Sequence, residues 1–416
     1  MGGWARRIGM GAMVLVLSAD LLLAGYWWGS SARSPAQAPA TPGKADEIPT
    51  SEPGRGTPGA TMARGPWGRL KTETLWLAPH PDLLNPDLCP LETPPWNFRG
   101  FTQGRLESFL DTLELPPASR ALLRTTTRCD GNGCSVRPPP SLQEALTPAA
   151  RTRLFEQVFQ DPDALARWSL IRLDEEDFRS WLRLSRLSPD WQQWILGISF
   201  PFRGARAVAD LPLACRRATS ARERAQVVRL WALTPSKMAW LHVGPDDDAS
   251  ALAAWWSRYG NRRKDLLPLL ESAREVPGGL DLDLVHLLPR GVRMRLYSYP
   301  SPQDPPRDCL WTVLNFGVEQ PDDSVLDPAV ALDRLDSHYR EVPEKDRQMG
   351  DAMLVWEPGE KRLVHAAIWL AGDLFLTKNG RHFLNPWILD TGESLMRIYN
   401  PEGTMTIKWM RRIEDE

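Results

Sequence analysis

The sequence predicts an α+β protein in which a short cysteine-bearing helix packs on a small antiparallel sheet. Three observations lead there. After position 286, a helical run with a capped start is followed by strand-like runs separated by turn residues. Residues 67–285 place their apolar side chains mainly at helical spacing behind recognisable caps. An apolar segment, 1–28, leads into a Pro-, Ala-, Gly- and Ser-rich stretch, 29–66, that holds few large apolar side chains. The expected organisation is therefore a membrane segment (1–28), a disordered linker (29–66), a mostly helical region (67–285) and an α+β unit (286–416).

Composition narrows the function classes. With a net charge of −2, nothing in the charge balance points to nucleic acid. With 42% hydrophobic residues the chain can bury real cores. The 19 tryptophans are scattered along it, which favours packing over a sugar-stacking platform.

In chain order, Arg6 and Arg7 precede an apolar run from Ile8 to Trp28, an arrangement that keeps the N-terminus cytoplasmic and exports the remainder of the chain. Asp20 inside the run costs about 2.5–3.5 kcal/mol near a membrane centre, and eight Leu, Ile and Val residues at roughly 0.3–0.6 kcal/mol each offset it. Ser30-Ser31-Ala32 offers a cleavage site, so a removed signal peptide competes with an inner-membrane anchor. The linker would span roughly 35 Å as a flexible coil.

Helices are expected behind Thr102, behind Thr147-Pro148 and behind the Ser220/Glu223 capping box. Others run over 249–259 and 262–275, where Pro268 breaks or kinks the second. The acidic runs 174–177 and 246–248 read as helix starts rather than metal sites. Cys129 and Cys134 flank Asp130-Gly131-Asn132-Gly133, a turn that brings the two sulfurs within bridging range. Cys89 with Cys215 is a candidate second pair, although spacing alone does not fix connectivity; that pairing leaves Cys309 free.

Beyond 286, Val292–Tyr297 alternates as a half-buried strand does. Asp308 opens a helix carrying Cys309, and Asp327-Pro328 opens another. Strands are expected over 352–356, 362–370, 373–377, 387–389 and 404–410, joined by turns at 357–360 and 371–373.

A thiol nucleophile needs a base and a group that orients the base. Cys309 at the start of a helix has its thiolate favoured by the macrodipole, although a lone cysteine is more often a buried structural residue. His365 lies inside the strand Leu363–Trp369, where period two puts it on a face with Leu363, Ala367 and Trp369. That face is expected to point toward the cysteine helix, where the imidazole would reach the sulfur and form a thiolate–imidazolium pair. Thr377 or Asn379 on the next strand would orient the far ring nitrogen. The chain contains no HExxH, no Cys-x-x-Cys and no phosphate-cradling glycine loop, so neither metal nor cofactor is expected.

These parts, in this order, resemble the NlpC-type papain-like cell-wall peptidases. Asp308-Cys309 resembles that family's Asp-Cys, Gly350-Asp351 its Gly-Asp, and His365-Ala366-Ala367-Ile368-Trp369 its His-Val-Gly-Ile-Tyr strand. The family's third polar residue falls at Thr377, with Asn379 the nearest residue of the usual type, and Tyr297 or Tyr299 matches its tyrosine beside the nucleophile. The resemblance covers residues 286–416. It implies an exported, membrane-tethered or periplasmic cysteine hydrolase that cleaves a peptide or cell-wall amide through a thioester on Cys309. The family's Ser-Gly after the cysteine is replaced by Leu310-Trp311. The competing expectation is the same fold used for binding in the envelope, without catalysis.

Overall fold

A computed structural model describes residues 64–160, 168–259, 263–360 and 362–413; the expected membrane segment and nearly all of the expected linker lie outside them. The fold is mixed α+β with small antiparallel sheets. No helix among the described residues is long and apolar enough to cross a membrane.

The caps expected from the sequence are in place. Thr102 accepts from the Arg105 amide, Thr147 from Ala150, Ser220 from Glu223 and Asp327 from Ala329. Asp174 and Asp248 also cap helices, in keeping with the acidic runs as helix starts. Glu223 returns its carboxylate chiefly to the Thr219 amide and hydroxyl, with the Ser220 backbone a weaker partner, so the capping box extends one residue further back. Pro268 is accommodated inside a helix that runs unbroken from Arg263 to Arg274.

The region expected to be mostly helical also holds three three-stranded sheets. Strands β1 (Arg69–Leu77), β8 (Thr234–Val243) and β9 (Leu280–Asp283) form one, ordered β1-β8-β9. Strands β2 (Trp96–Arg99), β3 (Thr127–Asp130) and β4 (Gly133–Val136) form the second, ordered β2-β4-β3. The third, ordered β5-β7-β6, joins β5 (Ile171–Leu173), β6 (Phe200–Phe202) and β7 (Ala205–Val208). Strands of three or four residues carry too few alternations to stand out against helical spacing, so apart from the β3–β4 hairpin these short strands leave little signal in the sequence. That hairpin holds the Cys129–Cys134 disulfide, and Cys89–Cys215 is the second bridge. Cys309 is the free cysteine.

The C-terminal sheet has six strands: β10 (Tyr339–Glu341), β11 (Ala352–Trp356), β12 (Leu363–Ala371), β13 (Leu374–Lys378), β14 (Trp387–Thr391) and β15 (Thr406–Arg412). Its order is β10-β15-β11-β12-β13-β14. The strand expected over 292–297 is instead a helical turn, Arg290–Arg293, continued by bonds from the Arg295 and Leu296 amides to the Val292 carbonyl. Val292 and Leu296 are buried four residues apart while Met294 is 75% exposed, so the apolar spacing serves a helical turn equally well.

The main hydrophobic core does not stop at position 286. It joins Leu70, Leu241 and Val243 of the first sheet to Trp311 and Leu314 of the cysteine helix and to Ile368, Leu376 and Leu389 of the six-stranded sheet. Across this junction Ser236 on β8 donates its hydroxyl to the Leu389 carbonyl at 3.1 Å and accepts the Leu389 amide at 3.0 Å. A second core, with Val355, Ala367, Trp369, Phe375 and Leu395, lies on the other face of the same sheet.

Candidate functional site

The cysteine helix spans Cys309–Leu314, and Asp308 caps it by accepting the Trp311 amide at 2.9 Å. Cys309 therefore occupies the first helical position, as the sequence predicts. The surroundings of this half-buried thiol nevertheless disfavour its thiolate. Burial pushes the thiol up to about 12, and the neighbouring Asp308 carboxylate adds to the rise. The amides of Ala366, Leu310 and Cys309 oppose the shift without overcoming it. A six-residue helix offers a short dipole, and the residue that caps it also places a negative charge beside the sulfur.

His365 sits on β12 opposite Val355, fully buried. Burial pushes its imidazole down to about 3, so the ring is neutral. Its Nε2 is paired with the Thr377 hydroxyl at 2.9 Å, and Thr377 also donates to the Ala366 carbonyl at 3.3 Å. The ring stacks on Tyr399, with centroids 3.8 Å apart and planes 5° from parallel. Tyr399 donates its hydroxyl to Asn379 Oδ1 at 3.2 Å. His365, Thr377 and Asn379 are thus gathered as expected, around a tyrosine that was not.

Cys309 does not join them. Ala366, Ile368 and Leu370 of β12 share the core of the cysteine helix, whereas Ala367 and Trp369 belong to the core beneath the C-terminal helix, Gly392–Tyr399. His365 pairs with Val355 and stacks on Tyr399, both of that second core, so it faces away from the cysteine helix. Cys309 and Tyr399 are close enough to couple electrostatically; what divides the site is the face of the sheet each side chain uses. The expected face assignment fails on this point, and the expected thiolate–imidazolium pair is not formed. A register shift between Val355 and Trp356 also moves Leu363 out of His365's face and into the main core.

The thiol has different neighbours. Lys378, fully buried on the next strand, couples electrostatically with Asp308 and Cys309. Its Nζ donates to the Gly380 and His382 carbonyls at 2.7 and 3.1 Å, and burial pushes it down to about 8. Arg381 pairs with Asp308 at 3.0 Å. The small cavity beside the cysteine helix, lined by Val292, Leu296, Trp311, Thr312, Asn315 and Trp387, has room for about one water and none for a peptide side chain.

Tyr297 and Tyr299 do not flank the nucleophile. Tyr297 donates to the Lys237 carbonyl at 2.8 Å, and Tyr299 to the carbonyls of Leu77 and Ala232 at 3.0 and 2.7 Å, tying their loop to the first sheet. Gly350-Asp351 is a structural pair. Gly350 has φ +92°, and a Cβ there would meet the Tyr259 ring at 2.2 Å. Asp351, fully buried, grips Arg411 through Nε at 2.8 Å and Nη2 at 2.7 Å.

Two residues around the site, Tyr399 and Lys378, are not among those the sequence singles out. Thr391 accepts the Ser394 amide as a cap and precedes Leu395 and Tyr399, four apart, which is the signal that marks the helix carrying Tyr399. Lys378 follows Thr377 and so faces the opposite side, toward the cysteine helix, by simple alternation. Comparison with protein-family models, with curated proteins and with solved structures finds no match for this chain.

Proposed function

We propose that this chain is an exported envelope protein whose C-terminal unit keeps the order of parts of an NlpC-type papain-like hydrolase but serves as a binding or scaffold module without catalysis. One observation carries the reading: His365 packs on the face of the sheet away from the core that holds the cysteine helix, and burial disfavours the charged form of both groups. Thiol catalysis needs the reverse, a thiolate hydrogen-bonded to the base that took its proton. Export is supported by the apolar segment behind Arg6 and Arg7 and by two disulfides, which persist in oxidising compartments.

The test is the pH dependence of Cys309 alkylation in the purified protein, with His365→Ala alongside. The expected rate keeps rising to at least pH 9, without a plateau at neutral pH, and is insensitive to His365 at pH 7. A plateau reporting a thiol several units below the ordinary value of about 8.5, and moved upward by His365→Ala, would restore the hydrolase reading and retire this one.

A further inference from the structure

Several arginine–carboxylate pairs in this protein use the same edge of the guanidinium. Arg307 holds Asp323 through Nε and Nη2, both at 3.1 Å, and Arg411 holds Asp351 through the same two nitrogens. Arg362 puts Nε and Nη2 on Glu357 at 3.1 and 2.7 Å. That edge presents two parallel N–H groups, which match the two oxygens of a carboxylate or phosphate.

Among the described residues Arg172 carries no carboxylate on that edge. It lies at the centre of β5, opposite Ala207, and its Nη1 donates to the Ile398 carbonyl at 3.5 Å. Its Nε and Nη2 are buried and have no hydrogen-bond partner among the described residues. The charged side chains that act on it are two further cations, Arg203 and Arg397. Arg397 is engaged with Asp174 at 3.0 Å and Glu393 at 3.4 Å. Arg203 lies over the Phe202 ring, 5.0 Å from its centroid, with no ion pair among the described residues. A desolvated guanidinium edge beside two more guanidiniums is unfavourable by itself and becomes favourable when an anion takes it.

We propose that Arg172 is the centre of an oxyanion-binding site on β5, accepting a carboxylate or phosphate group through Nε and Nη2, with Arg203 and Arg397 adding positive potential. Arg203 stands at the tip of the β6–β7 turn with φ +47°, next to Gly204 at φ +74°. Arg172 is also coupled electrostatically to Tyr399, so an anion there would sit beside the ring stacked on His365. The site does not depend on whether Cys309 is catalytic.

Calorimetric titration of the purified full-length protein at fixed ionic strength tests it. The probes are inorganic phosphate, N-acetyl-dialanine with a free carboxylate, and the C-terminal amide of the same peptide, against chloride. Phosphate or the free carboxylate should bind saturably at one site and the amide should not. Binding by phosphate alone assigns a phosphoryl ligand, and binding by the carboxylate alone assigns a peptide terminus or similar acid. Arg172→Gln should weaken binding by about tenfold or more, and Arg172→Lys by a similar factor, because an ammonium cannot present two parallel donors. Arg203→Gln, at the tip of a turn, should weaken it severalfold and keeps the test valid if the Arg172 variants fail to fold. Heats no larger than chloride for every probe, or full affinity in the folded variants, would overturn the proposal.

Discussion

Replacing His365 with Phe distinguishes a buried neutral imidazole from a catalytic imidazolium through the pH dependence of stability. Phe preserves an aromatic ring to stack on Tyr399 and leaves Thr377 its bond to the Ala366 carbonyl. In the folded protein the imidazole is held down to about 3 against an ordinary value of 6.5. The unfolded chain therefore binds one more proton throughout pH 3 to 6.5, and stability falls as pH falls through that window. At pH 5, about 1.5 units below the ordinary value, wild type should have lost about 2 kcal/mol through His365 alone. The variant lacks this loss, whatever fixed cost the substitution carries. Urea unfolding followed by far-UV circular dichroism at pH 7 and pH 5 measures it: the wild-type drop should exceed the variant's by about 2 kcal/mol. Other titrating groups, such as Asp390, pushed up to about 6, and His382, pushed down to about 4, are common to both proteins and cancel. Equal drops would refute the reasoning. A smaller wild-type drop would mean an imidazole raised by a thiolate partner, since such a group contributes stability as pH falls.

Two further predictions concern what holds the frame of the site. Removing Cys89–Cys215, whose partners are 126 residues apart, should cost about 5 kcal/mol by loop entropy, and removing Cys129–Cys134, 5 apart, about 2 kcal/mol; chemical denaturation of paired Cys→Ala variants compares them. Asp351→Ala should cost about 3–5 kcal/mol in the same assay, because it strands the Arg411 guanidinium and the Gln348 amide. The double variant Asp351→Leu with Arg411→Met should recover much of that loss.

Local chemistry is legible wherever one residue type decides the structure. Asp308, Thr102, Thr147 and Asp327 cap helices because a side-chain oxygen two or three residues before a free amide has one thing to bond. The five C-terminal strands expected from the sequence are all present within a residue or two. The face of His365 is not legible. Residues 365–371 of β12 are all buried, so the strand is covered on both sides and its apolar pattern carries no sign of which side holds the cysteine helix. The deciding element is the C-terminal helix, Gly392–Tyr399, which supplies the second covering layer and lies outside the helices expected from the sequence. The environment of the Cys309 thiol is illegible for a different reason: position at a helix start is local, but the burial that disfavours the thiolate is set by elements far away in sequence.

The two hydrogen bonds between Ser236 and Leu389 bear on how the chain reaches its native state. They lock β14, the outer strand of the six-stranded sheet, to β8, which lies 153 residues earlier, while β1 closes the same core from the far end of the chain. Contacts of such sequence separation form late, because loop entropy must be lost before they return anything. Until the last strands arrive, the β14 edge and the apolar faces of β1 and β8 stay open to wrong partners. A fragment cut near 286 would inherit that exposure permanently. It should be found in aggregates or bound to chaperones, while the uncut protein passes through the same hazard only during biogenesis.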